Sequence, residues 1–166
     1  ELLRTALAAR PLSPLAGVPW RLLVGPNMPE AAFRAIAAAA GPGVTVERAR
    51  PDFAALLTRA RLSISQGGYN TLMEVLAAGL PGVVVPFAGG TETEQTQRAE
   101  ALAARDLITV VPDAELSPRR LVEGIAAALA RHDRSRAGGG ERVPFQLGGA
   151  AETVRHLMAR LRETVA

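Results

Sequence analysis

Apolar runs alternate with amphipathic segments along most of the chain. Runs rich in Val, Leu and Ile predict buried strands at 20–25, 44–47, 62–65, 83–85 and 108–111. Between them, apolar residues at helical spacing predict helices at 1–10, 31–40, 53–60, 69–78, 94–104 and 118–130. Strands that are apolar along their whole length are typical of a parallel sheet covered by helices on both faces. The pattern therefore predicts an α/β domain that binds ligands at the carboxyl ends of its strands.

The two ends of the chain depart from this alternation. The first predicted helix begins at Glu1 with no strand before it, so we expect a fragment of a longer protein. Residues 131–148 are charged and contain consecutive glycines, which predicts a flexible loop. Residues 149–166 have the periodicity of a final amphipathic helix. The length of 166 residues predicts one domain, 1–166.

The amino-acid composition excludes several classes of metal site and catalytic site. The absence of cysteine excludes a disulfide framework, a cysteine-ligated zinc site, an iron–sulfur cluster and a thiol nucleophile. The two histidines, His132 and His156, lie far along the chain from the polar motifs, so we expect neither a histidine-rich metal site nor a Ser-His-Asp triad. No apolar run reaches the roughly 18 residues that a membrane span needs.

The basic residues do not indicate nucleic-acid binding. All 19 of them are arginine, and the formal net charge is only +3. The arginines are spread along the chain, and only 4% of the residues are aromatic. A nucleic-acid surface needs clustered basic groups and aromatic stacking partners, so we expect no nucleic-acid partner.

The segment after the third predicted strand has the features of a phosphate site. Gly67 and Gly68 follow that strand and precede a helix, where glycine lets a ligand approach the backbone closely. The free N–H groups of the helix N-terminus favour a phosphate. The sequence matches neither the GxGxxG fingerprint nor a P-loop. A tight strand-to-helix turn without a ligand explains the two glycines equally well.

Three polar residues follow in the first turns of this helix. Asn70 and Thr71 can contact phosphate or simply cap the helix. Glu74 lies one to two turns into the helix, where a carboxylate can accept both hydroxyls of a ribose. The alternative for Glu74 is an ordinary solvated carboxylate.

A second polar segment follows the fourth predicted strand. Glu94 and Gln95 combine a carboxylate with an amide, a pair that can read the hydroxyl pattern of a sugar. The helix dipole alone explains an acidic residue at Glu94. It does not explain Gln95, and both residues lie on the same predicted sheet edge as Gly67.

Four motifs in this region carry a family resemblance. They read QGGYNTxxE from residue 66, GLP from residue 79, PF from residue 86 and EQxxRA from residue 94. This combination resembles the C-terminal, donor-binding domain of GT-B glycosyltransferases, and in particular the MurG-like domains of glycosyltransferase family 28. The resemblance covers roughly residues 20–130.

The resemblance implies a Rossmann-like parallel sheet and a nucleoside-diphosphate sugar, carrying UDP or TDP, as substrate. It implies the following nucleotide- and diphosphate-binding residues: Arg50, whose neighbourhood meets the base, Gln66, Gly67, Gly68, Asn70, Thr71 and Glu74, which holds the ribose. It implies Phe87, Glu94 and Gln95 as residues that hold the transferred sugar. It implies no metal and no cofactor, because backbone N–H groups and the helix dipole take the place of a cation at the diphosphate.

The chain departs from the family pattern at two side chains. Gln66 stands where the family has His or Arg near the diphosphate, so charge neutralisation is weaker or comes from elsewhere. Arg98 replaces the Asn of the last motif, and it either supplies that charge or is a surface residue.

The family pattern also includes elements that the chain lacks. The first strand of the family's domain, its glycine-rich loop and the N-terminal acceptor domain are missing, so the catalytic base is unknown. We expect that acceptor domain as a partner in the full-length protein, with an unknown acceptor. We also expect an exposed sheet edge open to dimerisation or strand exchange, and a cytoplasmic location, peripheral to the inner membrane.

Three other functions stay open on the sequence. The chain is alternatively a separate nucleotide-sugar-binding subunit that is inactive without a partner chain, although such a subunit should begin with Met and a strand. A domain related to sugar-nucleotide epimerases would share the Glu and Gly features but not the EQxxRA motif. A dinucleotide dehydrogenase is disfavoured, because no GxGxxG follows any predicted strand.

Overall fold

The computed structural model describes residues 1–87 and 94–137. Its helices are α1 (Leu2–Ala9), α2 (Glu30–Ala39), α3 (Phe53–Leu57), α4 (Tyr69–Ala77), α5 (Glu94–Ala103) and α6 (Pro118–Ala137). Its strands are β1 (Trp20–Val24), β2 (Val44–Arg48), β3 (Ser63–Ser65), β4 (Gly82–Val84) and β5 (Thr109–Val110). Within this part of the chain, no helix is both long enough and apolar enough to cross a bilayer.

All strand pairs are parallel, which confirms the α/β class. β1 pairs with β2, and β3, β4 and β5 form a second sheet in that order. Because the strands are parallel, their carboxyl ends lie on one edge of each sheet. The loops that follow β3 and β4 therefore leave the second sheet side by side.

Alternate residues of β4 serve two different cores. Val83 packs towards α1 and α6, together with Val85, while Val84 between them packs towards α4 and α5. This follows from the strand geometry, in which successive side chains point to opposite faces. The second sheet is therefore covered on both faces, as its continuous apolar runs predict.

The first core also ties the two sheets together. Its buried members are Ala6, Ala9, Leu15, Val83, Val85, Val111, Leu121, Ile125 and Ala128. Trp20 of β1 and Ile64 of β3 pack against this cluster from the two sheets. Since α1 packs against α6, one layer of helices covers strands of both sheets.

A gap in strand pairing separates the two sheets. Within the described residues, β1 is hydrogen-bonded to β2 alone and β3 to β4 alone. The backbone of Trp20 hydrogen-bonds to Gly43, and the backbone of Val24 to Ala49, as in a regular parallel ladder. In such a ladder the residues in between face the other way, so the N–H and C=O groups of Arg21 and Leu23 point away from β2. By the same alternation, the backbone groups of Ile64 point away from β4. Among the described residues, β1 and β3 therefore each have one edge without a strand partner, and the opening of these edges to another chain stays a prediction.

The last helix is longer than the sequence predicts. Its start is as expected, because the Ser117 hydroxyl accepts the N–H of Arg120 at 3.3 Å and caps the helix. The helix then continues through Arg131 to Ala137, so the predicted loop does not begin at residue 131. Arg131 is half-buried and donates a hydrogen bond to the Thr109 hydroxyl, which anchors this extra length against β5. The rest of the predicted loop and the predicted helix at 149–166 lie outside the described residues.

We predict that Gly124→Ala does not stabilise the domain, although alanine is the better helix former. A Cβ at this buried position of α6 would lie 2.8 Å from Val111 Cγ2 and 3.4 Å from Val83 Cγ1. Overpacking of this kind costs about 1–3 kcal/mol, against a propensity gain of about 1 kcal/mol. Chemical denaturation should therefore show an unchanged or lower free energy of unfolding.

The control for this variant is Ala127→Gly, on the exposed side of α6. It changes helix propensity alone and should lower the free energy of unfolding by about 1 kcal/mol. A Gly124→Ala chain more stable than the parent would show that the contact between α6 and the sheet can accommodate a methyl group at this position.

We also predict that the unpaired edges of β1 and β3 allow the chain to self-associate. Exposed edges offer unpaired backbone donors and acceptors to another chain. Size-exclusion chromatography with light scattering should show a molar mass that rises with concentration. A single-chain mass at every concentration would contradict this prediction.

Candidate functional site

The pairing of β3 with β4 creates the site. Ser65 and Val84 are in register, so the segments that follow them leave the same edge of the sheet. The N–H of Val85 donates to the carbonyl of Ser65 at 2.8 Å and extends this pairing to the mouth of the site. The glycine turn at 66–68 and the segment ending at Phe87 therefore lie next to each other.

The first glycine of the turn is required by the fold. Gly67 is buried and has a φ of +85°, a left-handed conformation that strains any other residue. A Cβ there would lie 3.0 Å from Val84 Cγ1 and 4.0 Å from Gln95 Oε1. The tight-turn interpretation thus accounts for Gly67, which is pressed between the sheet and α5.

The second glycine is not explained in this way. Gly68 has φ −56° and ψ 138°, which any residue can adopt. It is exposed, and a Cβ at this position would meet no atom of the described residues within 4 Å. Neither backbone strain nor packing against the described chain calls for glycine, so the open space beside Gly68 is where a ligand can approach the backbone.

The N-terminus of α4 begins at this open space. Gly68 is its N-cap, and no side chain of the described residues caps the helix. Asn70, which is exposed, and Thr71, which is partly buried, therefore do not cap α4. The N–H groups of the first turn and the positive end of the helix dipole remain available to an anion.

Glu74 carries an unsatisfied oxygen. It follows Asn70 by one helical turn and therefore lies on the same side of α4. Its Oε2 is buried and has no hydrogen-bond partner among the described residues. A buried carboxylate oxygen without a donor is costly, so an ordinary solvated carboxylate does not account for this oxygen. The oxygen can accept a hydroxyl of a ligand bound at the α4 N-terminus.

Gln95 joins α5 to the end of β4. Its Oε1 accepts the backbone N–H of Phe87 at 3.3 Å and is the atom next to Gly67. The Phe87 side chain is 45% exposed. The structure thus brings Phe87 and Gln95 to the glycine turn, and the residues between Phe87 and Glu94 lie outside the described part.

Glu94 and Arg98 form a surface pair one turn apart on α5. The Glu94 side chain is 79% exposed, and its Oε2 lies 3.4 Å from a terminal nitrogen of Arg98. The Arg98 guanidinium carbon lies 5.4 Å from the centroid of the Tyr69 ring, a cation–π contact with the first residue of α4. Tyr69 belongs to the quoted motif, but nothing in the sequence pairs it with Arg98.

Arg50 lies just beyond the end of β2, and it forms an ion pair on the surface. Its Nε and a terminal nitrogen donate to the two oxygens of Asp52 at 2.8 and 2.7 Å. This hydrogen bonding lowers the pKa of Asp52 below its ordinary value, because it favours the ionised carboxylate. The loop leads into α3, which packs against α4. Contact of Arg50 with a nucleotide base stays a prediction.

Gln66 is exposed at the start of the glycine turn. Across residues 1–87 and 94–137, no three His, Cys, Asp or Glu side chains converge as metal ligands would. The expectation of a metal-free, cofactor-free site stays a prediction. A shallow groove between α1 and α2, lined by Arg4, Leu7 and Ile36 among others, shares no residue with the predicted site.

This chain matches one protein-family model and several curated proteins. The family model described as "Glycosyltransferase family 28 C-terminal domain" matches residues 4–141. The transferase of Agrobacterium fabrum named UDP-N-acetylglucosamine--N-acetylmuramyl-(pentapeptide) pyrophosphoryl-undecaprenol N-acetylglucosamine transferase is 36% identical over 83 residues, 50% of this chain and 22% of that protein. The protein of the same name in Tolumonas auensis is 39% identical over 83 residues, 50% of this chain and 23% of that protein. The matched segment thus spans about a fifth of either relative.

Solved structures share the fold. The calicheamicin glycosyltransferase CalG4 superimposes with a TM-score of 0.64 at 23% identity, covering 98% of this chain and 40% of that one. Acinetobacter baumannii MurG superimposes with a TM-score of 0.53 at 23% identity, covering 78% of this chain and 42% of that one. These likenesses confirm the predicted Rossmann-like arrangement of parallel strands and helices.

We predict that Glu74→Met does not destabilise the ligand-free chain. The change removes an unpaired buried oxygen while keeping a side chain of similar length, so the free energy of unfolding should rise by up to about 1–3 kcal/mol. Thermal denaturation measures this. Glu100→Met, on an exposed position of α5, is the control and should shift stability by no more than about 0.5 kcal/mol. A clear loss with Glu74→Met would mean that the carboxylate already has a stabilising partner.

Proposed function

This chain belongs to the glycosyltransferase family 28 C-terminal domain family, and we propose on that premise that it binds the nucleoside-diphosphate sugar of a glycosyltransferase. The observation that carries the proposal is a buried oxygen of Glu74 that has no partner among the described residues, one to two turns into α4 from its N-terminus. A hydroxyl acceptor and an anion site at this spacing suit the ribose and the diphosphate of one nucleotide.

Each part of the donor then has a proposed partner. The diphosphate lies against the backbone at Gly67 and Gly68 and the N–H groups at the start of α4, with Gln66, Asn70 and Thr71 beside it. Glu74 accepts the ribose hydroxyls. The open space at Gly68 supports this placement, because a phosphate oxygen needs backbone without a side chain in its way.

The transferred sugar is proposed to lie between the glycine turn and α5. The Gln95 amide has a spare N–H₂ group to donate, since its Oε1 is held by the N–H of Phe87. Glu94 is exposed beside it and can accept a sugar hydroxyl. Phe87 offers an exposed ring to the apolar face of the sugar.

The reaction is a displacement at the anomeric carbon of the sugar. The bond from that carbon to the β-phosphate oxygen breaks, and its electron pair stays on the phosphate. A bond from the acceptor oxygen to the same carbon forms, and the acceptor's proton passes to a base. The contribution of this chain is to stabilise the departing diphosphate, and we place the base in an acceptor-binding domain.

Uracil is the base that we propose for the donor. The curated relatives are named for UDP-N-acetylglucosamine, and they are 36–39% identical to this chain over 83 residues. TDP-sugars remain the second donor class. The acceptor domain as partner, dependence of activity on that partner, and a cytoplasmic location at the inner membrane are parts of the same proposal. The absence of cysteine agrees with a reducing compartment.

We predict that UDP or TDP stabilises the chain against heat, while GDP, ADP and NAD do not. A ligand at about 100 times its dissociation constant adds about 2.7 kcal/mol, which for a domain of this size raises Tm by roughly 5–10 °C. A thermal-shift panel of the five nucleotides measures this. A shift with NAD would instead support a dehydrogenase, and no shift with any nucleotide would contradict donor binding by this chain.

Two variants make the panel specific to the site. Glu74→Ala should keep the fold and lose most of the nucleotide shift, because the ribose loses its acceptor. Gly68→Val should do the same by filling the open space at the α4 N-terminus. Thr45→Ala, on the exposed side of β2, is the matched control and should keep the full shift. Unchanged affinity in Glu74→Ala would rule out its contact with ribose.

A further inference from the structure

We propose that Arg98 binds the diphosphate of the donor and supplies the positive charge that the glycine turn lacks. This inference rests on the proposed function and adds Arg98 to the donor-binding residues proposed above. The juxtaposition behind it is a guanidinium held over the ring of Tyr69, the first residue after the Gly68 N-cap.

The position of Arg98 follows from its place on α5. It lies three residues after Gln95 and four after Glu94, so the three side chains share one side of the helix. Gln95 fixes that side towards the end of β4 and Gly67. The ring of Tyr69, 5.4 Å from the guanidinium carbon, shows that the same side also faces the start of α4. Ala99, which is buried, holds α5 in this orientation.

The electrostatics of the site call for such a charge. The segment 66–74 contains no Arg, Lys or His, and the helix N-terminus provides only about half an elementary charge. Two carboxylates, Glu74 and Glu94, lie beside the proposed donor and repel its phosphates. A diphosphate that leaves with an additional negative charge needs a cation nearby. Among the described residues, Arg98 is a cation whose contacts place it at the α4 N-terminus.

The present partners of Arg98 leave it available to a phosphate. Its ion pair with Glu94 is 3.4 Å long, and the Glu94 side chain is 79% exposed. Exposed pairs of this kind contribute little, whereas a guanidinium binds phosphate oxygens through two parallel hydrogen bonds. The contact with the Tyr69 ring is a cation–π attraction at 5.4 Å, and a guanidinium has five N–H groups with which to donate. Exchange of Glu94 for phosphate would also free the carboxylate for a sugar hydroxyl.

The test compares uridine with UDP by isothermal titration calorimetry. The parent chain should bind UDP more tightly than uridine, because UDP adds the diphosphate. Arg98→Ala should weaken UDP roughly 10- to 100-fold, the size expected for charge-assisted hydrogen bonds, and leave uridine unchanged. Arg98→Lys should fall between, because it keeps the charge but loses the paired hydrogen bonds. Arg98→Met keeps the aliphatic stem that packs on α5 and replaces the alanine variant if that variant unfolds.

Arg34→Ala is the matched control. Arg34 pairs with Glu30 at the start of α2 with the same four-residue spacing as Arg98 with Glu94, at 3.0 Å. The variant removes the same charge and the same kind of ion pair at a distance from the site, so the affinities for uridine and for UDP should both stay unchanged.

The outcomes separate this inference from the function beneath it. Equal weakening of uridine and UDP in Arg98→Ala would show that Arg98 only supports the shape of α4 through Tyr69, and would overturn the inference. Unchanged UDP affinity in Arg98→Ala would overturn it as well, while donor binding would stand. A parent chain that binds neither uridine nor UDP, in a titration that also includes TDP, would overturn both.

Discussion

The parallel pairing of β3 with β4 is the constraint on which the site depends. It brings two segments far apart in the sequence to one edge of the sheet, with Ser65 opposite Val84. Gly67 then turns the chain against Val84, in a backbone conformation that only glycine adopts without strain. That turn sets the direction of α4 and hence the position of its N-terminus. Gln95 reaches the same corner from α5 and links it to the end of β4.

This corner of the sheet contains polar groups whose hydrogen bonds the described part of the fold does not satisfy. The first turn of α4 has no side-chain cap, and Glu74 has a buried oxygen without a partner among the described residues. Both features lower the stability of the empty chain. Local costs of this kind are typical of binding sites, where a ligand later supplies the missing partner. Elsewhere in the described chain the carboxylates of Glu30, Glu47 and Asp52 are paired with arginine.

Arginine takes different roles on the surface and at the site. On the surface, Arg50 binds Asp52 through two short hydrogen bonds and is fully engaged. Beside the glycine turn, Arg98 makes a long ion pair with the exposed carboxylate of Glu94 and a cation–π contact with the ring of Tyr69. The same residue type is therefore held firmly in one place and loosely in the other. This contrast, rather than the number of arginines, distinguishes a structural pair from a group able to change partners.

The sequence by itself determined the fold class, the five strands and the helices between them, because apolar periodicity and Gly and Pro boundaries are local properties of the chain. The motifs at 66–74 and 94–99 were also enough to identify the family. The end of α6 was placed too early, because the contact of Arg131 with Thr109 joins residues distant in the sequence. Only the tertiary structure decided that Gly67 serves the fold and that Arg98 contacts Tyr69. It also decided that, within residues 1–87 and 94–137, no atom lies near a Cβ placed at Gly68 and one buried oxygen of Glu74 has no partner. Each of these depends on how α4, β4 and α5 pack, and packing between distant segments leaves no periodic signal in the sequence.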